Sequence, residues 1–269
     1  MKFIQNLRLN KKLLKELDYA TIIIAMCIVI FGCINIYSAT YKSTGNYYPE
    51  KQIAAMILSL IMVYFLLVFD YMVIENYAVI IYWAGILLLI VGDFVFKTIT
   101  NGANSWIKIG SLALQPSEFA KIGMIIMLAK RLDEMEGKIN NLKNLLELLF
   151  YAAVPMILIV IQPDMGMTMV SFFIVLGIFF CIGLDRKIII GGITSIIILV
   201  VGVWNSPIMQ TYWKGRLTSF LHPGQNQTGS GLQLIQSKLA IGSGGIFGRG
   251  FGNGVQFNSV PENHTDFIF

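Results

Sequence analysis

The sequence has 269 residues, 56% of them hydrophobic and 13% charged, with a formal net charge of +5. A soluble domain carries a smaller apolar share and about 25% charged residues, so that class is excluded. The positive charge sits in basic flanks beside apolar runs, not in a stripe interleaved with aromatics that would bind nucleic acid.

The apolar runs approach the ~20 residues needed to cross a bilayer, and a spanning segment of such a chain must be helical because lipid leaves open backbone groups unpaired. The expected fold is therefore all-α, a polytopic helical bundle forming a single membrane domain over 1–269. The basic opening stretch "MKFIQNLRLNKKLLKEL" leads into a first run with no A-x-A site, which reads as a retained span and not a cleaved signal. Spans are expected at about 19–38, 52–69, 74–95, 114–129, 145–161, 167–184 and 188–204, with the start of an eighth at Phe267. Cys27, Cys33 and Cys181 all fall inside apolar runs and read as packing residues, with no disulfide framework.

Between the third and fourth spans lies "NGANSWIKIGSLALQPSE", read as a short loop with Trp106 at headgroup level. The fourth span opens "LQPSEFAKIGMIIML", and Glu118 and Lys121, three residues apart on a helix, share a face and can pair. Charges near a membrane face a partner or a cavity, so Lys121 is a candidate contact for an anionic substrate. "IQPDMGM" turns the chain into the sixth span, with Asp164 placed to cap that helix.

Lysine and arginine gather at the N-terminus, at 130–143 and at 186–187, which sets the N-terminus on the cytoplasmic side. The segment 205–266 then becomes one large loop on the outer face, and a long loop among tight turns is usually functional. Within it, 231–241 is expected to form a short interfacial helix carrying Lys238. The following "GSGGIFGRGFGNG" holds seven glycines around Arg249 but fits neither nucleotide-loop spacing. Its open backbone can approach a ligand closely and offer N–H groups to anionic oxygens, with Lys238, Arg249 and the earlier Arg216 able to hold a diphosphate. At the end of the loop, His264, Thr265 and Asp266 stand just before the apolar Phe267. A carboxylate partly withdrawn from water suits a general base, so Asp266 is a candidate catalytic residue, the other reading being a helix N-cap before Phe267. The two histidines, His222 and His264, have no CxxC or HxxxH around them, so no zinc site is readable.

Taken together, "NSWIKIG…LQPSEFAKI", "QPDMG", "QSKLAIGSGGIFGRG" and "PENHTDFIF" resemble, in order and topology, the signature stretches of the SEDS family of bacterial shape, elongation, division and sporulation proteins. The likeness is strongest to its rod-shape branch, with the division branch a close cousin. It implies a peptidoglycan glycosyltransferase of the bacterial cytoplasmic membrane, polymerising lipid II at the outer face during elongation and shape maintenance. It also implies that the family's essential aspartate matches Asp266, its polar pair matches Glu118 and Lys121, and its Q-P-D aspartate matches Asp164. The candidate substrate-binding residues are thus Glu118, Lys121, Asp164, Lys238, Arg249, His264, Thr265 and Trp106. A divalent cation, magnesium or manganese, could assist the leaving diphosphate, although no ligand set for it is legible. The implied protein partner is a class B penicillin-binding protein, a transpeptidase. Family members typically have ten spans, so the chain is expected to be truncated near the start of its eighth, without the helices that meet this partner. The alternatives are a flippase or transporter of lipid-linked precursors, suggested by the charges near the membrane, and an inactive remnant or scaffold.

Overall fold

The computed structural model describes residues 17–68, 71–94, 106–109, 112–136, 139–162, 164–205, 215, 230–254, 260 and 265. The chain divides into two compact units, one formed by 1–69 with 209–269 and the other by 70–208.

In the first unit, α1 (Tyr19–Thr44) and α2 (Tyr47–Val68) form a helical hairpin turned at Gly45, whose φ of 62° suits glycine. Asp18 caps α1, accepting hydrogen bonds from the amides of Ala20 and Thr21 and from the Thr21 hydroxyl. The Thr21 hydroxyl and backbone bonds hold the Asp18 carboxyl below its ordinary range. Almost no side chain of either helix is buried in protein, as expected of surfaces that lipid covers. A further helix, α9 (Ser230–Gly244), brackets the expected 231–241 segment.

In the second unit, α3 (Tyr71–Asn76) and α4 (Ala78–Phe94) occupy the expected third span, which is broken near Tyr77. A two-stranded antiparallel hairpin follows, β1 (Ile107–Ile109) and β2 (Leu112–Leu114), in the register Ile107↔Leu114 and Ile109↔Leu112. Apart from this short hairpin the described elements are helical, as the all-α expectation has it. The alternation of Ile107, Ile109, Leu112 and Leu114 around Gly110 carried the strand signal, too short to stand out from a loop. Four helices complete the unit: α5 (Pro116–Glu134), α6 (Leu142–Ile161), α7 (Met165–Ile182) and α8 (Arg186–Asn205).

The centre of the second unit is α5, which packs against α4 on one side and α6 on the other. The α4–α5 approach is close because it is made by small residues. A Cβ on Gly85 would stand 2.9 Å from Ala120 Cα, and one on Gly123 would stand 3.1 Å from Ile81 O and Tyr82 Cα. Toward the other end, Met124, Leu128, Leu148, Ala152, Val175 and Phe179 pack α5, α6 and α7 together.

Among the described residues, α1, α2, α6 and α7 are long and apolar enough to cross a membrane, and Ala78–Gly92 within α4 is a shorter apolar segment. The expected fourth span is α5. Its second half carries Lys130, Arg131, Asp133 and Glu134, and it is charged at both ends instead of apolar throughout.

Candidate functional site

One corner of the second unit is built by the start of α5 and the α6–α7 turn. Pro116 occupies the first turn of α5, where its missing N–H costs nothing. Gln115, at the N-cap position, makes no side-chain bond to its own helix. Its Nε2 instead donates to Asp164 Oδ2 at 3.1 Å, across 49 residues of sequence. The other oxygen, Asp164 Oδ1, accepts the Met167 amide at 3.1 Å, so the expected cap of α7 is present. Asp164 therefore ties the beginnings of two helices together. The hairpin is seated against the same corner, since a Cβ on Gly92 would lie 3.0 Å from Pro116 Cγ and 3.6 Å from Ile107 Cδ1.

One turn further along α5, Lys121 Nζ stands 2.8 Å from Glu118 Oε2, the pairing that the spacing predicts. The two ends differ in exposure: the Lys121 side chain is 15% exposed and that of Glu118 is 48% exposed. The ammonium is thus shielded while the carboxylate faces outward, the reverse of a wall presenting a free cation. Trp106 stands at the start of the hairpin, partly exposed.

Two residues at the ends of these elements carry no local signal in the sequence. Ser117 is fully buried and, among the described residues, its Oγ has no hydrogen-bond partner, and Gln162, 2% exposed, has neither Nε2 nor Oε1 paired there. Both stand in the quoted stretches "LQPSE" and "IQPD", beside charged residues whose chemistry is the more obvious. Buried polar groups without partners are uncommon, which sets these two residues apart from the packing around them.

In the first unit, Lys238 lies exposed on α9 and Arg249 lies exposed beyond it, its Nε donating to Ser243 O at 2.9 Å. The glycine stretch adopts the backbone that its composition allows: φ is 59° at Gly245, 69° at Gly248, 84° at Gly250 and 71° at Gly252. Thr265 is an exposed turn residue. Arg216, Asp266 and His264, and the expected start of an eighth span at Phe267, lie outside the described residues. The first unit thus holds Lys238, Arg249 and Thr265, and the second holds Trp106, Glu118, Lys121 and Asp164.

Among the described residues, no three His, Cys, Asp or Glu side chains gather where a metal ion could be held. Asp164 is committed to Gln115 and Met167, and Glu118 to Lys121, so these carboxylates do not fit the expected divalent cation.

The family model of the FtsW, RodA and SpoVE cell cycle proteins matches residues 18–269. The chain is 32% identical to the probable peptidoglycan glycosyltransferase FtsW of Bacillus subtilis (strain 168), over 96% of this chain and 68% of that protein. It is 31% identical to the peptidoglycan glycosyltransferase MrdB of Escherichia coli (strain K12), over 94% of this chain and 68% of that protein. Among solved structures, a chain described under structural coordination of polymerization and crosslinking by a peptidoglycan synthase complex superposes with a TM-score of 0.71. It is 31% identical, and the match covers 85% of this chain and 66% of that one. The chain thus spans about two thirds of the length of these relatives.

Proposed function

The chain belongs to the FtsW, RodA and SpoVE family of cell cycle proteins, the SEDS family, and from that membership we propose that it is a peptidoglycan glycosyltransferase polymerising lipid II. The observation that carries this reading is its 31–32% identity, over nearly all of its length, to two proteins named for that activity.

In the proposed reaction the 4-hydroxyl oxygen of the incoming sugar forms a bond to the anomeric carbon of the growing chain. The bond from that carbon to the lipid diphosphate breaks, and the diphosphate leaves with the electron pair. Asp266 takes the hydroxyl proton, because a sugar hydroxyl is a poor nucleophile without a positioned base. Lys238 and Arg249, both exposed in the unit that includes Asp266 in sequence, supply positive charge to the diphosphate as it departs. Trp106, His264 and Thr265 are assigned as further substrate contacts. Glu118 and Lys121 are self-neutralised at 2.8 Å, so we assign the pair to shaping the substrate cavity, with Lys121 turning to the substrate only when Glu118 releases it.

The apolar helices and the family place the chain in a membrane, and we propose the bacterial cytoplasmic membrane with the N-terminus inside and 205–266 outside. Cell elongation is the proposed duty, on the motif likeness to the rod-shape branch, and a class B penicillin-binding protein is the proposed crosslinking partner. A rod-shape-deficient strain complemented by this gene supports elongation, whereas rescue confined to a division-deficient strain reassigns it.

The deciding experiment is polymerisation of purified lipid II by the full chain in nanodiscs, with Asp266→Asn beside it. Polymer formation falls about 100-fold or more in the variant if Asp266 is the base. An unaltered rate in Asp266→Asn would falsify that assignment.

A further inference from the structure

The glycine stretch is not loose in the first unit. Gly252 donates its backbone N–H to Ser38 Oγ of α1 at 2.8 Å, across 214 residues of sequence. Beside this bond the Phe251 ring stacks on Tyr37, with centroids 5.9 Å apart and planes 14° from parallel. The turn has its own internal closure, since the Asn253 amide donates to Gly250 O at 3.3 Å. Phe251 and Tyr37 also line an apolar pocket of about 410 Å³ together with Ile30, Ile34, Ile53 and Met56. The contact is thus one polar bond and one ring stack, made by adjacent residues on each side.

We propose that Tyr37 and Ser38 form a seat for the turn 248–253, and that this seat, together with the Arg249 Nε bond to Ser243 O, positions Arg249 and the neighbouring backbone N–H groups. The physical need for a seat follows from the turn's own composition. Gly248, Gly250 and Gly252 all sit at positive φ, each with an unusually large backbone entropy to lose on ordering. A chain of that kind does not hold an arginine in one place unless something outside it does. Ser38 is suited to the role because its hydroxyl accepts a hydrogen bond while α1 stays intact. Phe251 adds a directional contact, as stacked rings define both distance and tilt. Ser38 and Tyr37 are positioning residues and touch no reacting atom.

The kinetic consequence rests on the proposed role of Arg249 toward a diphosphate, whereas the existence of the seat does not. The seat is read by limited trypsin digestion of the full chain in nanodiscs, following cleavage after Arg249 relative to cleavage after Lys143. Ser38→Ala and Tyr37→Leu each speed cleavage after Arg249 about fivefold, while Ser38→Thr and Tyr37→Phe leave it near the original rate. Equal cleavage in all five proteins overturns the seat. Hydrogen exchange of the Gly252 amide in the unaltered chain tests the same bond without a substitution. Slowed exchange supports the bond to Ser38, and exchange at the rate of an open loop overturns it. With lipid II as substrate, Ser38→Ala lowers kcat about fivefold with KM nearly constant, and Ser38→Thr restores it. Weakened protection with kcat unmoved overturns the positioning role. If no form polymerises lipid II, the glycosyltransferase reading fails, and digestion and exchange still decide the seat.

Discussion

Asp164 gives one oxygen to the Met167 amide and the other to Gln115, each at 3.1 Å, and the two bonds serve different helices. Asp164→Ala removes both, leaving the first turn of α7 uncapped and the Gln115 amide without its acceptor. Its expected cost is about 1–2 kcal/mol, read as a lowered unfolding midpoint in detergent. Gln115→Ala keeps the cap and costs about half as much. Equal losses from the two variants would show that the cap contributes nothing separable. The cap itself was legible, since an aspartate between a proline turn and an apolar run has few other local uses. Its second partner was not, because nothing local marks a contact 49 residues away. Ser38 was hidden for the same reason, an ordinary serine inside an apolar run.

Within the second unit, α6 carries Pro155 in its interior, which removes the N–H that would bond the Tyr151 carbonyl. Lipid offers that carbonyl no donor. The Tyr82 hydroxyl of α4 fills the gap, donating to Tyr151 O at 3.1 Å from a side chain only 1% exposed. Tyr82→Phe is therefore expected to cost about 1–2 kcal/mol. In a Pro155→Ala background the helix regains its own donor, and the cost of Tyr82→Phe falls toward zero. A double-mutant cycle on detergent unfolding measures this, and identical costs in both backgrounds would refute the substitution of one donor for the other. Hydropathy made these helices legible in the sequence, with ends displaced by a few residues. It missed the break near Tyr77 and the hairpin at Ile107–Leu114, where short elements lack a periodic signal.

For the molecule as a whole, charge bias sets a side for each loop, and labelling tests it directly. With Cys27, Cys33 and Cys181 replaced by serine, Ile246→Cys is expected to react in intact cells with a membrane-impermeant maleimide. Lys143→Cys is expected to react only after the cells are opened. The opposite pattern inverts the topology and removes the outer loop from lipid II at the outer leaflet. The family was legible because its motifs are contiguous stretches, whereas the assembled site was only partly so. Glu118 and Lys121 pair as their spacing promised, but Asp266 lies outside the described residues, and its proposed place with Lys238 and Arg249 rests on order in sequence.

The Glu118–Lys121 pair also bears on biogenesis. Its partners are three residues apart on one helix, so the pairing at 2.8 Å needs no other part of the protein. A lone charge at the centre of a spanning helix costs about 2.5–3.5 kcal/mol on insertion scales, which is an upper bound for a pair at the helix start. Here the charges can neutralise each other as soon as the first turns of α5 form. The helix can then leave the translocon already balanced, before the later α6 is made to pack against it.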